Sequence, residues 1–137
     1  MILKPLLIIV LSTILCSAQD DIVANITLSS SQLIAIEGGL FNGDTHTTAS
    51  LQLGLKAQKV RLGYSAFYPE HSNKWSWYRV VAAYSYQNSE FGGFEADHHY
   101  MGVEGIANFM LWSAGVGVFS DLGNGDIKGV VEIGFGF

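Results

Sequence analysis

The run GIANFMLWSAGVGVFS, residues 105–120, is the longest uncharged stretch that follows the first 18 residues, and it decides the fold class. Its asparagine, serines and glycines make it poor material for a membrane-spanning helix. Within it, the order Gly-Val-Gly-Val at residues 115–118 has a period of two. Successive side chains of a β-strand point to opposite faces, so a period of two predicts strands.

The same period recurs through the rest of the chain. Turn signals such as Asn-Gly-Asp at 42–44 and Gly-Asn-Gly at 123–125 separate the alternating segments, and two further joints, at 57–58 and 108–109, are inferred from a reversal of the pattern. Strands of about ten residues have the length that a tilted bilayer crossing requires. The sequence therefore predicts an all-β fold, an eight-stranded antiparallel up-and-down transmembrane β-barrel. The predicted strands are 21–29, 33–41, 46–56, 59–68, 77–87, 99–108, 110–120 and 127–137.

Length and composition limit the remaining possibilities. A chain of 137 residues fits one domain, and a hydrophobic content of 49% with 14% charged residues excludes a disordered polymer. The net charge of -5 leaves no basic surface to neutralise phosphates, so nucleic-acid binding is not expected.

The first 18 residues, MILKPLLIIVLSTILCSA, have the features of an export signal. Lys4 precedes an apolar run at 6–15, and small residues occupy the positions that a signal peptidase reads. We expect a signal peptide at 1–18, cleaved after Ala18, and a single β-barrel domain at 19–137. Cys16 is the only cysteine, so the mature chain would form no disulfide. A lipoprotein would acylate Cys16, but Leu15 occupies a position where a small residue is wanted.

All charged residues of the predicted strands share one face, and two kinds of barrel have that property. In a soluble ligand-carrying barrel the charged face meets water and the apolar face lines a cavity. In a membrane barrel the charged face is the lumen and the apolar face meets lipid. Small residues beside long ionic ones suit a narrow eight-stranded lumen, which favours the membrane barrel. Aromatic residues of the apolar face, expected at the membrane interfaces, are Tyr64, Tyr68, Tyr78, Tyr84, Tyr86 and Trp112.

Charges inside a narrow lumen must be paired, so the charged face predicts a salt-bridge network rather than an ion or proton path. Arg79 is expected to pair with Glu104 or a neighbour. Together with Lys59, the residues of the predicted lumen network are Glu37, Lys56, Arg61, Arg79, Glu104, Lys128 and Glu132.

The last strand carries a resemblance to a known class. Val131, Ile133, Phe135 and Phe137 alternate with small or charged residues up to a terminal aromatic. In this the chain resembles bacterial outer-membrane β-barrel proteins, above all the small OmpX and OmpA-transmembrane type. The resemblance implies an outer-membrane location, recognition of these four residues by the barrel-assembly machinery, and contact with lipid and lipopolysaccharide. It implies a monomeric, non-catalytic envelope protein without a cofactor. With an even number of strands and both termini in the periplasm, the loop at 88–97 would face the cell surface and the loop at 69–74 would face the periplasm.

The stretch His71-Ser72-Asn73 is similar to the His-x-Ser-Asn motif of outer-membrane lipid A deacylases, which use a serine nucleophile and a histidine base. Here the histidine and serine are adjacent, so their side chains would diverge on a strand. We keep a lipid-modifying enzyme only as a third alternative, after the secreted soluble barrel.

His98 and His99, close to Glu95 and Asp97, are the other residues that could ligate a metal. Adjacent histidines diverge on a strand, and no third ligand follows nearby in the sequence. The sequence therefore predicts no metal site.

Overall fold

The computed structural model describes residues 22–42, 45–67 and 76–136, which form eight β-strands. No helix in these ranges has the length and apolarity needed to cross a membrane. The strands are β1 Ile22–Ser29, β2 Leu33–Asn42, β3 Thr47–Gly54, β4 Ala57–Phe67, β5 Ser76–Gln87, β6 His99–Phe109, β7 Trp112–Asp121 and β8 Ile127–Gly136.

Each strand pairs antiparallel with its neighbours in chain order, and β8 returns to pair with β1, so the sheet is a closed barrel. The closing ladder places Ile26 opposite Phe135 and Leu28 opposite Ile133. Closure gives every described strand a neighbour on each side, although the β1–β8 ladder covers only Asn25–Ser29 and Glu132–Gly136. The prediction of an all-β, eight-stranded, antiparallel up-and-down barrel is confirmed.

Both joints inferred from pattern reversal were wrong by two residues. Ala57 and Gln58 continue the ladder of β4 against β5, and the turn is formed by Leu55 and Lys56. Likewise 108–109 belong to β6, and the turn is at 110–111, where Met110 has φ 54°. A two-residue hairpin loop needs a left-handed backbone, which glycine or asparagine normally supplies, so methionine gave no turn signal.

Inward and outward side chains alternate along every strand. In β6, β7 and β8 this alternation brings inward side chains close to inward glycines. A Cβ added to Gly117 would lie 2.6 Å from Cγ of Glu104, and one added to Gly134 would lie 2.3 Å from Oγ of Ser113. Glycine at these two positions therefore provides the space that the lumen side chains occupy.

The two ends of the barrel differ. The terminal end holds the start of β1, the end of β8 and the turn at 110–111. The loop end holds the connections 30–32, 55–56, 88–98 and 122–126. The longest of these, 88–98, folds over the β1–β2 turn, since a Cβ on Gly92 would meet the carbonyl oxygen of Ser30. Phe94 from this loop is buried in the mouth of the barrel.

Candidate functional site: the charged lumen and the apolar outer face

Arg61 lies at the centre of the lumen and contacts three carboxylates. Its Nε is 2.5 Å from Oε2 of Glu104, its Nη2 is 2.8 Å from Oε2 of Glu132, and its Nη1 is 3.3 Å from Oε1 of Glu37. The Arg61 side chain is 1% exposed. A guanidinium suits this position because its donors form a planar fork that several carboxylates can share.

Two further cations extend the network toward the two ends of the barrel. Arg79 binds Glu37 through two nitrogens, at 2.6 and 3.1 Å. Lys59 donates to Oε1 of Glu104 at 2.6 Å. Arg79 therefore pairs with Glu37, and no ion pair joins it to Glu104 among the described residues. The three glutamates and three cations carry a formal net charge of zero.

Polar residues on the same face complete the network and were not among the predicted site residues. Ser50 donates to Glu37 at 2.6 Å, and Gln52 donates to Glu132 at 3.3 Å. Nearer the terminal end, Asn25 donates to Ser113 at 3.0 Å. Their inward parity was visible in the alternation, but nothing in the sequence distinguishes a lumen serine or glutamine from one that faces water.

Lys56 and Lys128, both predicted members of the network, lie at its periphery. Lys56 is in the β3–β4 turn, outside the strand alternation, and Lys128 is opposite Phe119 near the loop end. Both are half-buried, and neither forms an ion pair with any residue that the structure describes. A buried apolar cluster that includes Phe94, Phe119 and Val130 lies in this part of the barrel.

Aromatic side chains fill the lumen on either side of the ions. At the terminal end, the Arg79 guanidinium lies 4.9 Å from the centre of the Trp77 ring. At the loop end, Phe94 packs edge-to-face on Tyr100, with ring centres 4.8 Å apart, and Phe119 lies under Nζ of Lys59. The pocket beside Arg61 leaves no room for a water molecule.

The outer face is apolar around the whole circumference. Every strand from β1 to β8 contributes at least one exposed large hydrophobic residue. One such residue from each strand, in the order β1 to β8, is Ile26, Ile36, Leu53, Leu62, Val80, Val103, Val116 and Ile133. The charged face is thus inside and the apolar face outside, the reverse of the arrangement in a soluble ligand-carrying barrel.

Predicted interfacial and assembly residues lie on this outer face where they are described. Tyr64, Tyr78 and Trp112 are exposed toward the terminal end, and Tyr84 and the partly exposed Tyr86 toward the loop end. The residues of the C-terminal pattern that point outward are Val131, Ile133 and Phe135. Tyr68, Phe137 and the stretch 71–73 lie outside the described residues.

The loop end also gathers three potential metal ligands. His98 lies between Glu95 and Asp121, with its Nε2 3.3 Å from Oε2 of Glu95 and its Nδ1 hydrogen-bonded to the carboxylate of Asp121. This hydrogen bond raises the pKa of the His98 imidazole above its usual range; desolvation opposes the shift. The neighbouring His99 diverges, as expected, and contacts the outward Tyr84 instead.

Comparison with protein-family models, with curated proteins and with solved structures gives no match.

Proposed function

We propose that this chain is a non-catalytic outer-membrane β-barrel protein of the bacterial envelope, with a closed, salt-bridged lumen and a structural or surface role. The observation that carries the proposal is the inversion of polarity: three ion-paired glutamates are buried inside while all eight strands expose large apolar side chains. The resemblance of the last strand to outer-membrane barrels supports the same assignment.

The inversion of polarity indicates the environment of the outer face, because exposed apolar surface is unfavourable in water. Monomeric soluble proteins rarely expose contiguous apolar patches larger than a few hundred Å², because such surface is unfavourable in water. Here the exposed apolar residues form a closed belt rather than a single patch. A protein partner would cover a patch of limited width, whereas the hydrocarbon of a bilayer surrounds a barrel on all sides.

The dimensions of the belt are compatible with an outer membrane. On β5, the outward Tyr78 and Tyr86 are near opposite ends of the strand. Their separation corresponds to a height of about 20 Å, from about 3.3 Å per residue and a tilt of about 40°. Transmembrane barrels have an apolar band of about 25 Å between two aromatic girdles, and the bacterial outer membrane is thinner than average.

The alternative of a soluble barrel that carries a hydrophobic ligand does not fit this geometry. Such a protein needs an apolar cavity, whereas this lumen is lined by ions and capped by Phe94 and Trp77. A filled lumen also argues against a conducting pore. We therefore assign the protein no transport role, and we propose a non-catalytic monomer that contacts lipid and lipopolysaccharide and is inserted by the barrel-assembly machinery.

Fractionation of cells tests the proposal. The full chain is expressed in a Gram-negative host, and membranes are washed with urea to remove peripheral proteins. We expect the folded protein in the washed outer-membrane pellet, released only by detergent. A control that lacks residues 1–18 should stay in the cytoplasm as an aggregate. Folded wild-type protein in the supernatant after high-speed centrifugation without detergent would refute the proposal.

A further inference from the structure

We propose that Glu95, His98 and Asp121 form a binding site for a divalent transition metal such as Zn²⁺ at the loop end of the barrel. Each residue offers one ligand atom, and these atoms lie within 4.8 Å of one another. The set combines one imidazole with two carboxylates, which are ligand types that Zn²⁺ accepts.

The fold brings a third potential ligand, Asp121, close to Glu95 and His98, although it is distant from them in the sequence. Glu95 and His98 belong to the 88–98 loop, whereas Asp121 is the last residue of β7 and is 23 positions away from His98. β6 and β7 pair along their whole length, with Tyr100 opposite Asp121, and this ladder brings the end of β7 under the loop.

The proposed site combines one buried ligand with two exposed ligands that can move. The Asp121 side chain is 1% exposed, and its Oδ1 accepts a hydrogen bond from the backbone N–H of Gly123 at 2.7 Å. Glu95 is 54% exposed and His98 is 32% exposed, so both side chains can close around an ion. Zinc bonds of about 2.0–2.2 Å require the exposed Glu95 and His98 side chains to rotate, because the hydrogen bond that joins His98 to Asp121 must open to admit the ion.

Exposure also leaves room for water to complete the coordination sphere. Two carboxylates and a neutral imidazole bring a formal charge of -2 to the ion and balance its charge. The bound ion would replace the hydrogen bond between His98 and Asp121 with two bonds to one metal. It would then fasten the 88–98 loop, which carries the buried Phe94, to the end of β7. The proposal does not depend on whether the outer face meets lipid.

Calorimetric titration of the purified, folded chain with Zn²⁺ alone tests the site. We expect one Zn²⁺ per chain, with affinity lowered by about tenfold or more in His98→Gln and in Glu95→Gln. Glu95 is largely exposed, so its variant keeps the test valid if His98→Gln fails to fold. The matched control is His99→Gln, which changes the adjacent histidine and should bind as the wild type does.

Hydrogen exchange provides the second readout, because residues 88–98 should exchange more slowly when Zn²⁺ is bound. Three outcomes would overturn the proposal. These are no one-site binding of Zn²⁺ by the wild type, an affinity in the His98→Gln and Glu95→Gln variants equal to that of the wild type, or a loss of affinity in His99→Gln as large as in those variants. Equal affinity for Ca²⁺ and Zn²⁺ would also overturn it, since Ca²⁺ prefers oxygen ligands and does not need the imidazole.

Discussion

Replacing Arg61 with methionine should destabilise the barrel more than any other single change in the lumen. The guanidinium contacts Glu37, Glu104 and Glu132, so its loss leaves three buried carboxylates with only two cations and changes the formal charge of the network from 0 to -1. Removing one partner of a buried ion pair lowers the free energy of unfolding by about 3–5 kcal/mol, because the remaining charge is uncompensated. Methionine retains an apolar stem, which limits the contribution of lost packing.

Reversible urea unfolding in lipid vesicles, followed by tryptophan fluorescence, measures this change as a difference in the free energy of unfolding. Lys128→Met is the matched control, since Lys128 is half-buried and has no ion-pair partner among the described residues. It should change the free energy by no more than about 0.5 kcal/mol. A double variant with Glu132→Gln should recover part of the loss, with a coupling energy of about 0.5–3 kcal/mol. The reasoning fails if Arg61→Met costs less than about 1 kcal/mol or no more than the control.

Three other predictions address the outer face and the loop end. Ile133→Arg should cost about 2–4 kcal/mol in vesicles, whereas Ile127→Arg, also outward on β8 but at the loop end, should cost about 0–1 kcal/mol; equal and negligible costs would mean that both positions face water. A cysteine at Ala96 should react with a membrane-impermeant maleimide on intact cells, and reaction only after lysis would reverse the assigned topology. In the metal-free protein the raised pKa of His98 means that its stabilising contribution is present below about 6.5 and lost as the pH rises through the raised value. An NMR titration should therefore give a midpoint above 6.5 that falls in Asp121→Asn, and an unchanged midpoint would exclude this cause.

The structure changes what the Ile133 experiment can decide. From sequence alone, Ile133 faced either lipid or a ligand cavity, and arginine would be unfavourable in both. In the structure Ile133 is 56% exposed on the outer face. If that face met water, an arginine there would cost almost nothing. Stability now distinguishes the two environments.

Alternation was sufficient to predict the strands and their faces because a barrel strand must present one face to each environment. Glu37, Glu104 and Glu132 could be assigned to one side by parity alone. Their partners could not be predicted, since pairing across the lumen depends on strand tilt and register. Arg79 on β5 reaches Glu37 on β2 across the lumen, a contact that no local sequence pattern records.

Prediction from sequence failed mainly for turns and for clusters of residues that are distant in the chain, and each failure has a physical reason. The β6–β7 turn is formed by Met110 and Leu111, residues without the intrinsic preference for a left-handed backbone that marks most hairpins. The cluster at the loop end could not be predicted because Asp121 is distant in sequence and comes close only through the β6–β7 ladder. Phe94, a loop residue, is buried because its loop folds into the mouth.

Spin labelling of the outer face measures most directly whether lipid surrounds the barrel. Cys16 is the only cysteine, so single cysteines can be introduced without background into residues 19–137. Nitroxides at Val80, Val103 and Val116, outward positions in the middle of three strands, are examined in vesicles for collision with dissolved oxygen and with a water-soluble nickel complex. We expect high oxygen and low nickel accessibility at all three positions, and the opposite at Ala96 in the loop. Nickel accessibility at the three belt positions as high as at Ala96 would contradict the account.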